Sequence, residues 1–213
     1  MWNSYIKGFH AYLLLERSMS GNTIEAYLRD IGKLVQYLDL QRLAAAELLP
    51  QGQPAPPMPS PGELALSDFQ AMLKWLNELG LDVRSQARLI SGIKAFYRYL
   101  LVEDILLTDP TEMLETPKLD RKIPEVLNYD EIQRMLAAID HSDPLGLRNR
   151  AMLEKLYACG LRVSELINLR ISNLHFDVGF IKVLGKNDKE RLVPIGEEAV
   201  KHVGFYVESM RQH

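Results

Sequence analysis

The sequence predicts a mainly α-helical chain in two parts, the second carrying a small antiparallel sheet. Three observations predict it. Apolar residues recur at helical spacing through most of the first half. A stretch rich in proline and charge, TDPTEMLETPKLDRKIP from Thr108 to Pro124, then breaks the pattern. Beyond it helical spacing returns, until Val178–Leu184 and Arg191–Ile195 form two β-prone runs around GKNDKE, a hairpin signal. The expected organisation is a helical domain over residues 1–107, a linker over 108–127 and a second domain over 128–213.

In the first half, Tyr5, Ile6, Phe9, Tyr12 and Leu13 mark a helix over residues 2–16. Ser20 or Asn22 can cap the next helix, whose apolar stripe is Ile24, Tyr27, Leu28, Ile31, Leu34, Val35 and Leu38. Residues 50–62, PQGQPAPPMPSPG, hold too many prolines and glycines for a helix or central strand, so they read as an extended surface insert. Ser67 with Gln70 has capping-box spacing and opens a helix to about Gly80, and another runs from about Asp82 to Val102. In the second half, Asn128 with Glu131 repeats the capping-box spacing. A helix from Leu145 stops at Gly160, the short run VSELINL follows, and residues 197–212 return to helix after the hairpin.

Composition narrows the function classes. Apolar residues make up 47% and charged residues 25%, ordinary for a globular chain and unlike a disordered one. A net charge of −3 argues against a uniformly basic nucleic-acid binder, so any such role needs positive charge gathered on one face. One cysteine, Cys159, excludes an internal disulfide and a cysteine-cluster metal site. His10, His141, His175, His202 and His213 show no metal-ligand spacing, so no metal is expected. No apolar run is long enough to span a bilayer and the N-terminus lacks signal-peptide features, which points to a cytoplasmic protein without a membrane partner.

Three patterns carry chemistry. On the helix from Asp82 to Val102, a rotation of 100° per residue places Arg84, Arg88, Ser91, Lys94 and Arg98 within an arc of roughly 120°. Leu89, Ile93, Phe96, Tyr97 and Leu100 lie opposite, and no acidic residue stands between Arg84 and Leu101. That face suits a polyanion, because its cations can neutralise phosphates and release counterions; a merely solvated basic face is the alternative. In YACGLRVSELINLR, Arg162 follows a helix-stopping glycine and precedes a new helix. It can project a planar donor fork toward phosphate oxygens, with Glu165 one turn on to hold it; a structural Arg–Glu pair is the alternative. In VLGKNDKERLVPI, Lys186 sits at the hairpin turn, where an ammonium can donate a proton to a leaving oxygen or simply decorate the tip. Gly179 with Gly185-Lys186 approaches a phosphate-binding loop, but the spacing is wrong and Asn187 replaces the required Ser or Thr, so no nucleotide cofactor is expected.

In order, these pieces resemble the tyrosine recombinase (phage integrase) family, most closely its Xer branch. The stretches NTIEAYLRDI and SQARLISGIKAFYRYL resemble its helical, SAM-like core-binding domain. ETPKLDRKIPEVL, GLRNRAMLEKLYACGLRVSELINLR and GKNDKERLVPIGEEAV resemble the opening of its α+β catalytic domain. The resemblance implies a DNA site-specific recombinase that cuts and rejoins through a 3′-phosphotyrosyl ester, without metal or cofactor. It implies Arg162 as the first catalytic arginine, Lys186 as the general acid for the 5′-oxygen and Glu165 as the supporting acid. In such a family Arg84, Arg88, Ser91, Lys94 and Arg98 become DNA contacts, with Ser20, Asn22, Thr23 and Arg29 a weaker set, and the two domains clamp the duplex. Implied partners are double-stranded DNA at a specific site, a second recombinase protomer or paralogue within a tetramer, and a DNA translocase acting in chromosome dimer resolution at the nucleoid. Asn187 stands where the Xer branch commonly has glycine, a change that a turn tolerates.

One part of the family pattern is missing. No histidine here has arginine three residues later, and Tyr206 falls too early to be the nucleophile. The expectation is a C-terminally truncated enzyme, whose 213 residues bind DNA without cleaving it. An integrase of a mobile element, a shortened DNA-binding regulator and a helical protein adaptor are the competing readings.

Overall fold

The computed structural model describes residues 2–50, 53–120, 123–143, 145–185 and 189–210. The chain divides into two compact units, Met1–Lys122 and Ile123–His213. In the first, α1 (Trp2–Ala11) runs into a single π turn over Tyr12–Glu16, and α2 (Gly21–Glu47) follows with Ser20 as its N-cap residue. Ile24, Ile31, Leu34 and Leu38 of the expected stripe are buried, and the helix continues beyond it to Glu47. Then come α3 (Leu66–Glu78) and α4 (Val83–Val102). Asp82 caps α4, its carboxylate accepting from the Arg84 N–H at 2.9 Å. One whole side of α4 is core: Leu89, Ile90, Ile93, Phe96, Tyr97 and Leu100 are each 0–1% exposed. Phe96 meets Phe9 of α1 edge-on at 5.3 Å, and Tyr97 meets Phe69 of α3 in the same way at 5.3 Å. Burying side chains of this size is worth about 1.5–3 kcal/mol each, which makes α4 the helix the unit is built around.

Three sequence expectations change here. The cap of α3 is not Ser67: the helix starts at Leu66, and Asp68 turns back to accept from the Ala65 N–H at 2.8 Å, because its short carboxylate reaches that donor. The proline-rich insert is not a loose surface loop. Pro61 is buried at the start of a 3-10 turn, the Trp2 indole Nε1 donates to the Pro59 carbonyl at 2.8 Å, and the buried Tyr97 hydroxyl donates to the Pro61 carbonyl at 3.0 Å. Proline has no N–H to satisfy, so such a segment can lie against a core while aromatic donors take its carbonyls. Finally, the stretch from Thr108 is not all linker. Asp109 accepts from the N–H and hydroxyl of Thr111 at 2.8 and 2.7 Å, a turn that buries Thr111 and inserts Leu114 into the core.

The second unit begins with α5 (Tyr129–Ala137), where the capping box forms in full: Glu131 accepts from the Asn128 N–H at 2.8 Å and Asn128 from the Glu131 N–H at 2.9 Å. α6 (Gly146–Cys159) ends at Gly160, whose φ of 57° is the left-handed conformation that glycine adopts without strain. The short α7 (Val163–Ile167) leads into an antiparallel sheet of order β1-β2-β3, made of Leu174–His175, Phe180–Leu184 and Glu190–Pro194. β1 was not anticipated, being too short to show alternation. α8 (Glu197–Met210) packs along α6. Ile181, Val183, Leu166, Ile195 and Ala199 form the core with Cys159, whose thiol burial pushes up in pKa, as suits a packing residue rather than a nucleophile. No described helix is long and apolar enough to cross a membrane.

Replacing Tyr97 by Phe strips the Pro61 carbonyl of its donor. We expect a stability loss of about 1 kcal/mol in urea denaturation; an unchanged midpoint would show that the insert is not held through this bond.

Candidate functional site

The second unit gathers its charged groups where α6 stops. Gly160 turns the chain, Leu161 is buried, and Arg162 becomes the N-cap residue of α7. Glu165, one turn on, folds back and accepts from the Arg162 N–H through Oε2 at 2.8 Å. The same carboxylate binds two guanidinium groups. Oε1 accepts from Arg162 Nη1 at 3.0 Å and Arg191 Nη1 at 2.6 Å, and Oε2 accepts from Arg191 Nη2 at 2.8 Å. Four N–H donors fill the capacity of the carboxylate, so Glu165 is an anchor and not a proton acceptor. It is only 5% exposed, whereas the Arg162 side chain is 69% exposed. The trio therefore carries one net positive charge, displayed on Arg162, whose Nε and Nη2 take no partner among the described residues.

The base of the hairpin lies beside this cluster. The Gly185 N–H donates to the Lys189 carbonyl at 2.8 Å. A Cβ at residue 185 would lie 3.2 Å from Arg191 Nη1 and 3.4 Å from Glu165 Oε1, so glycine lets the hairpin base come in against the ion pair. Lys186, the sequence-expected general acid, lies outside the described residues. Electrostatics follow the geometry. The Arg191 hydrogen bonds first, then the Arg162 backbone N–H and side chain, hold the Glu165 carboxyl down from 4.5 to about 2, against the opposing effect of desolvation. Glu165 in turn raises the pKa of Arg191.

Sequence reasoning missed Arg191. Its signal was the strand period. Val183 pairs with Arg191 and Ile181 with Val193, so Arg191 occupies an inward position of β3, and a charge there needs a partner.

The α4 face in the first unit is less simple than its sequence. Arg88 is bound end-on to Asp30 of α2, Nη1 to Oδ2 at 2.8 Å and Nη2 to Oδ1 at 2.6 Å. Asp30 is fully buried, so the compensating acid absent from α4 comes from its neighbour helix. Burial raises the Asp30 pKa, opposed first by the charge of Arg88. Its sequence signal was position: Asp30 sits three residues after Tyr27 and four before Leu34, on the apolar stripe itself. The Ser91 hydroxyl donates back to the Ala87 carbonyl at 3.0 Å, Lys94 Nζ to the Glu112 carbonyl at 3.3 Å and Arg84 Nη2 to the Asp120 carbonyl at 3.3 Å. Arg98 is exposed and takes no partner among the described residues. The weaker set adjoins this face: Arg88 reaches the Ala26 carbonyl at 3.5 Å, the Ser20 and Thr23 hydroxyls bond each other at 2.9 Å, and Asn22 and Arg29 are exposed. Among the described residues no cluster of three or more His, Cys, Asp or Glu could hold a metal.

Comparison with known proteins decides the family. Residues 125–211 match the phage integrase family and residues 6–49 match the phage integrase N-terminal SAM-like domain. The chain is 38% identical over 209 residues to the tyrosine recombinase XerD of Listeria monocytogenes serotype 4b (strain F2365), covering 98% of this chain and 66% of that protein. The chain belongs to the tyrosine recombinase (phage integrase) family. Another tyrosine recombinase of the same name, from Pseudomonas aeruginosa, is 40% identical over 199 residues, covering 93% of this chain and 61% of the relative. The chain thus spans about two thirds of the length of these relatives. Among solved structures, a lambda integrase tetramer bound to a Holliday junction superposes with a TM-score of 0.69 at 18% identity, over 98% of this chain and 57% of that one. XerH bound to a palindromic difH substrate gives 0.65 at 20% identity, over 90% and 55%. Both likenesses carry the tyrosine recombinase fold, helical with its small sheet.

Two outcomes test these sites. Because the folded pKa of Glu165 lies below the unfolded value, its contribution to stability is full above pH 4.5 and is lost as pH falls toward 2. Hydrogen exchange of the β2 and β3 amides should lose protection across that window in the natural chain, and Glu165→Gln should start lower and lose less; parallel profiles would refute the clamp. In the first unit, Arg88→Ala strands a buried carboxylate and should cost about 2 kcal/mol, while Arg84→Ala should cost under about 0.5 kcal/mol. Equal midpoints for the two variants in urea would show that the Asp30 pair does not hold α2 to α4.

Proposed function

We propose that this chain is the DNA-binding and phosphate-orienting part of an Xer-type site-specific recombinase acting in chromosome dimer resolution in the cytoplasm. The observation that carries the reading is Arg162. It stands on a rigid turn beyond a left-handed glycine, held by a buried carboxylate already satisfied by Arg191, and it presents its remaining donors outward. A pre-placed guanidinium is suited to the non-bridging oxygens of a phosphodiester, because it needs no reorganisation as charge develops there. Lys186, next to Gly185, supplies the proton to the 5′-oxygen as that bond breaks. The tyrosine ester keeps the bond energy of the cut strand, so rejoining needs no nucleotide.

Within the 213 residues there is neither a His-x-x-Arg box nor a tyrosine in the family's late context. We infer that these 213 residues bind duplex DNA without cutting it, and that strand exchange takes a second protomer. Binding rests on the face shared by α4 and the start of α2, with Arg84, Lys94 and Arg98 serving phosphates.

Duplex binding measured against salt should show a steep loss of affinity, with a log–log slope of about −4 or steeper. On nicked suicide duplexes the chain should form no covalent adduct. A flat salt dependence would place the chain among protein adaptors, and a trapped phosphotyrosyl adduct would overturn the proposed inactivity.

A further inference from the structure

Arg88 differs from every other cation on the α4 face. It meets Asp30 through Nη1 and Nη2, the end-on edge of the guanidinium. The outer Nη1 hydrogen points to the Ala26 carbonyl at 3.5 Å. What remains is the side-on edge, where Nε–H and the second Nη2–H stand parallel, and Nε donates to no described residue. The Arg88 side chain is 44% exposed while its partner Asp30 is wholly buried. A guanidinium with one fork locked and the other open is a rigid bidentate donor. Two acceptors spaced as guanine O6 and N7 match it, and little side-chain entropy is lost when they bind.

We propose that Asp30 is a positioning residue for DNA recognition: it fixes Arg88 as a donor fork that reads a base edge in the duplex. The proposal rests on the reading of the α4 face as the DNA side. Charge separates Arg88 from its neighbours. Paired with Asp30 it is electrically neutral, so it releases no counterion and adds little to sequence-independent affinity. Its directional N–H groups still discriminate between bases. Arg98 is the opposite case, a cation without a protein partner among the described residues and suited to a phosphate.

The surroundings show that this pair is built at a cost. A Cβ at residue 92 would lie 2.5 Å from Asp30 Oδ2 and 2.8 Å from its Cβ, so glycine on α4 makes the space the carboxylate fills. Burying an ion pair is no more stabilising than apolar packing of the same volume, and glycine weakens a helix interior. Stability alone does not account for Asp30, Arg88 and Gly92 together, whereas presentation of a fixed fork does.

The test begins with selection of duplexes from a random pool by the 213-residue chain. Affinity for the selected duplex and for a scrambled one is then measured across a salt series, for the natural chain and for Asp30→Asn, Arg88→Lys and Arg98→Ala, with thermal unfolding to confirm folding. Asp30→Asn should lose about tenfold or more of the preference for the selected duplex. It should also bind the scrambled duplex more tightly, with a salt slope steeper by about one, because it frees the Arg88 charge. A merely structural Asp30 would not move those quantities in opposite directions. Arg88→Lys should lose the preference and keep the slope, and Arg98→Ala should weaken both duplexes alike. The proposal is overturned if Asp30→Asn keeps the preference, if it weakens both duplexes equally, or if the natural chain binds with salt dependence and no preference. In that last case the DNA-binding reading survives alone, whereas a chain that binds no duplex sinks both.

Discussion

The buried carboxylate of Glu165 organises the second unit. It draws the turn after α6, the backbone of α7 and the inward arginine of β3 to one point, and glycine at residue 185 leaves the base of the hairpin close beside it. Without that anion two guanidinium groups would face each other with no counter-charge. With it in place, one arginine is spent on neutralisation and the other is left on display. That division of labour turns an ordinary Arg–Glu pair, the bland reading of the sequence, into a preorganised cationic site.

The first unit uses the same device in a different setting. Asp30 is buried where an apolar residue would otherwise lie, and it holds half of Arg88 while the other half faces outward. In both units an acidic side chain is placed inside so that a basic one can be rigid outside. Flexible surface arginines lose rotamer freedom on binding, and an arginine held from beneath has already lost it. A net charge of −3 is therefore no obstacle to a polyanion ligand, since part of the acidic complement lies beneath the cations it orients.

Much of this was legible in the sequence where a local rule dominates. The stripe of α2, the helix from about Asp82, the Asn128–Glu131 box and the Gly160 stop each depend on residues within one or two turns, and each forms. What the sequence hid is mostly long-range. The start of α3 is the local exception, since it depends on which of two nearby side chains reaches the free N–H. The proline-rich segment joins the core through Trp2 and Tyr97, which lie far away in sequence. Thr108–Leu114 looks like linker by composition, yet it buries Thr111 and Leu114. At the candidate sites, Arg162 and Glu165 are three residues apart and could be paired on paper. Arg191 and Asp30 bond to partners 26 and 58 residues away, which only the sheet register and the α2–α4 packing reveal.

The proposed function requires Arg162 and Lys186 to act on one phosphodiester of a bound duplex. The most direct measurement is a crystal structure of this chain on a duplex selected by it. The Arg162 guanidinium should lie on the non-bridging oxygens of a single backbone phosphate, with the Lys186 ammonium within hydrogen-bonding reach of the 5′-oxygen of that same phosphate. Arg162 turned away from the duplex, or the two side chains on phosphates several nucleotides apart, would contradict it.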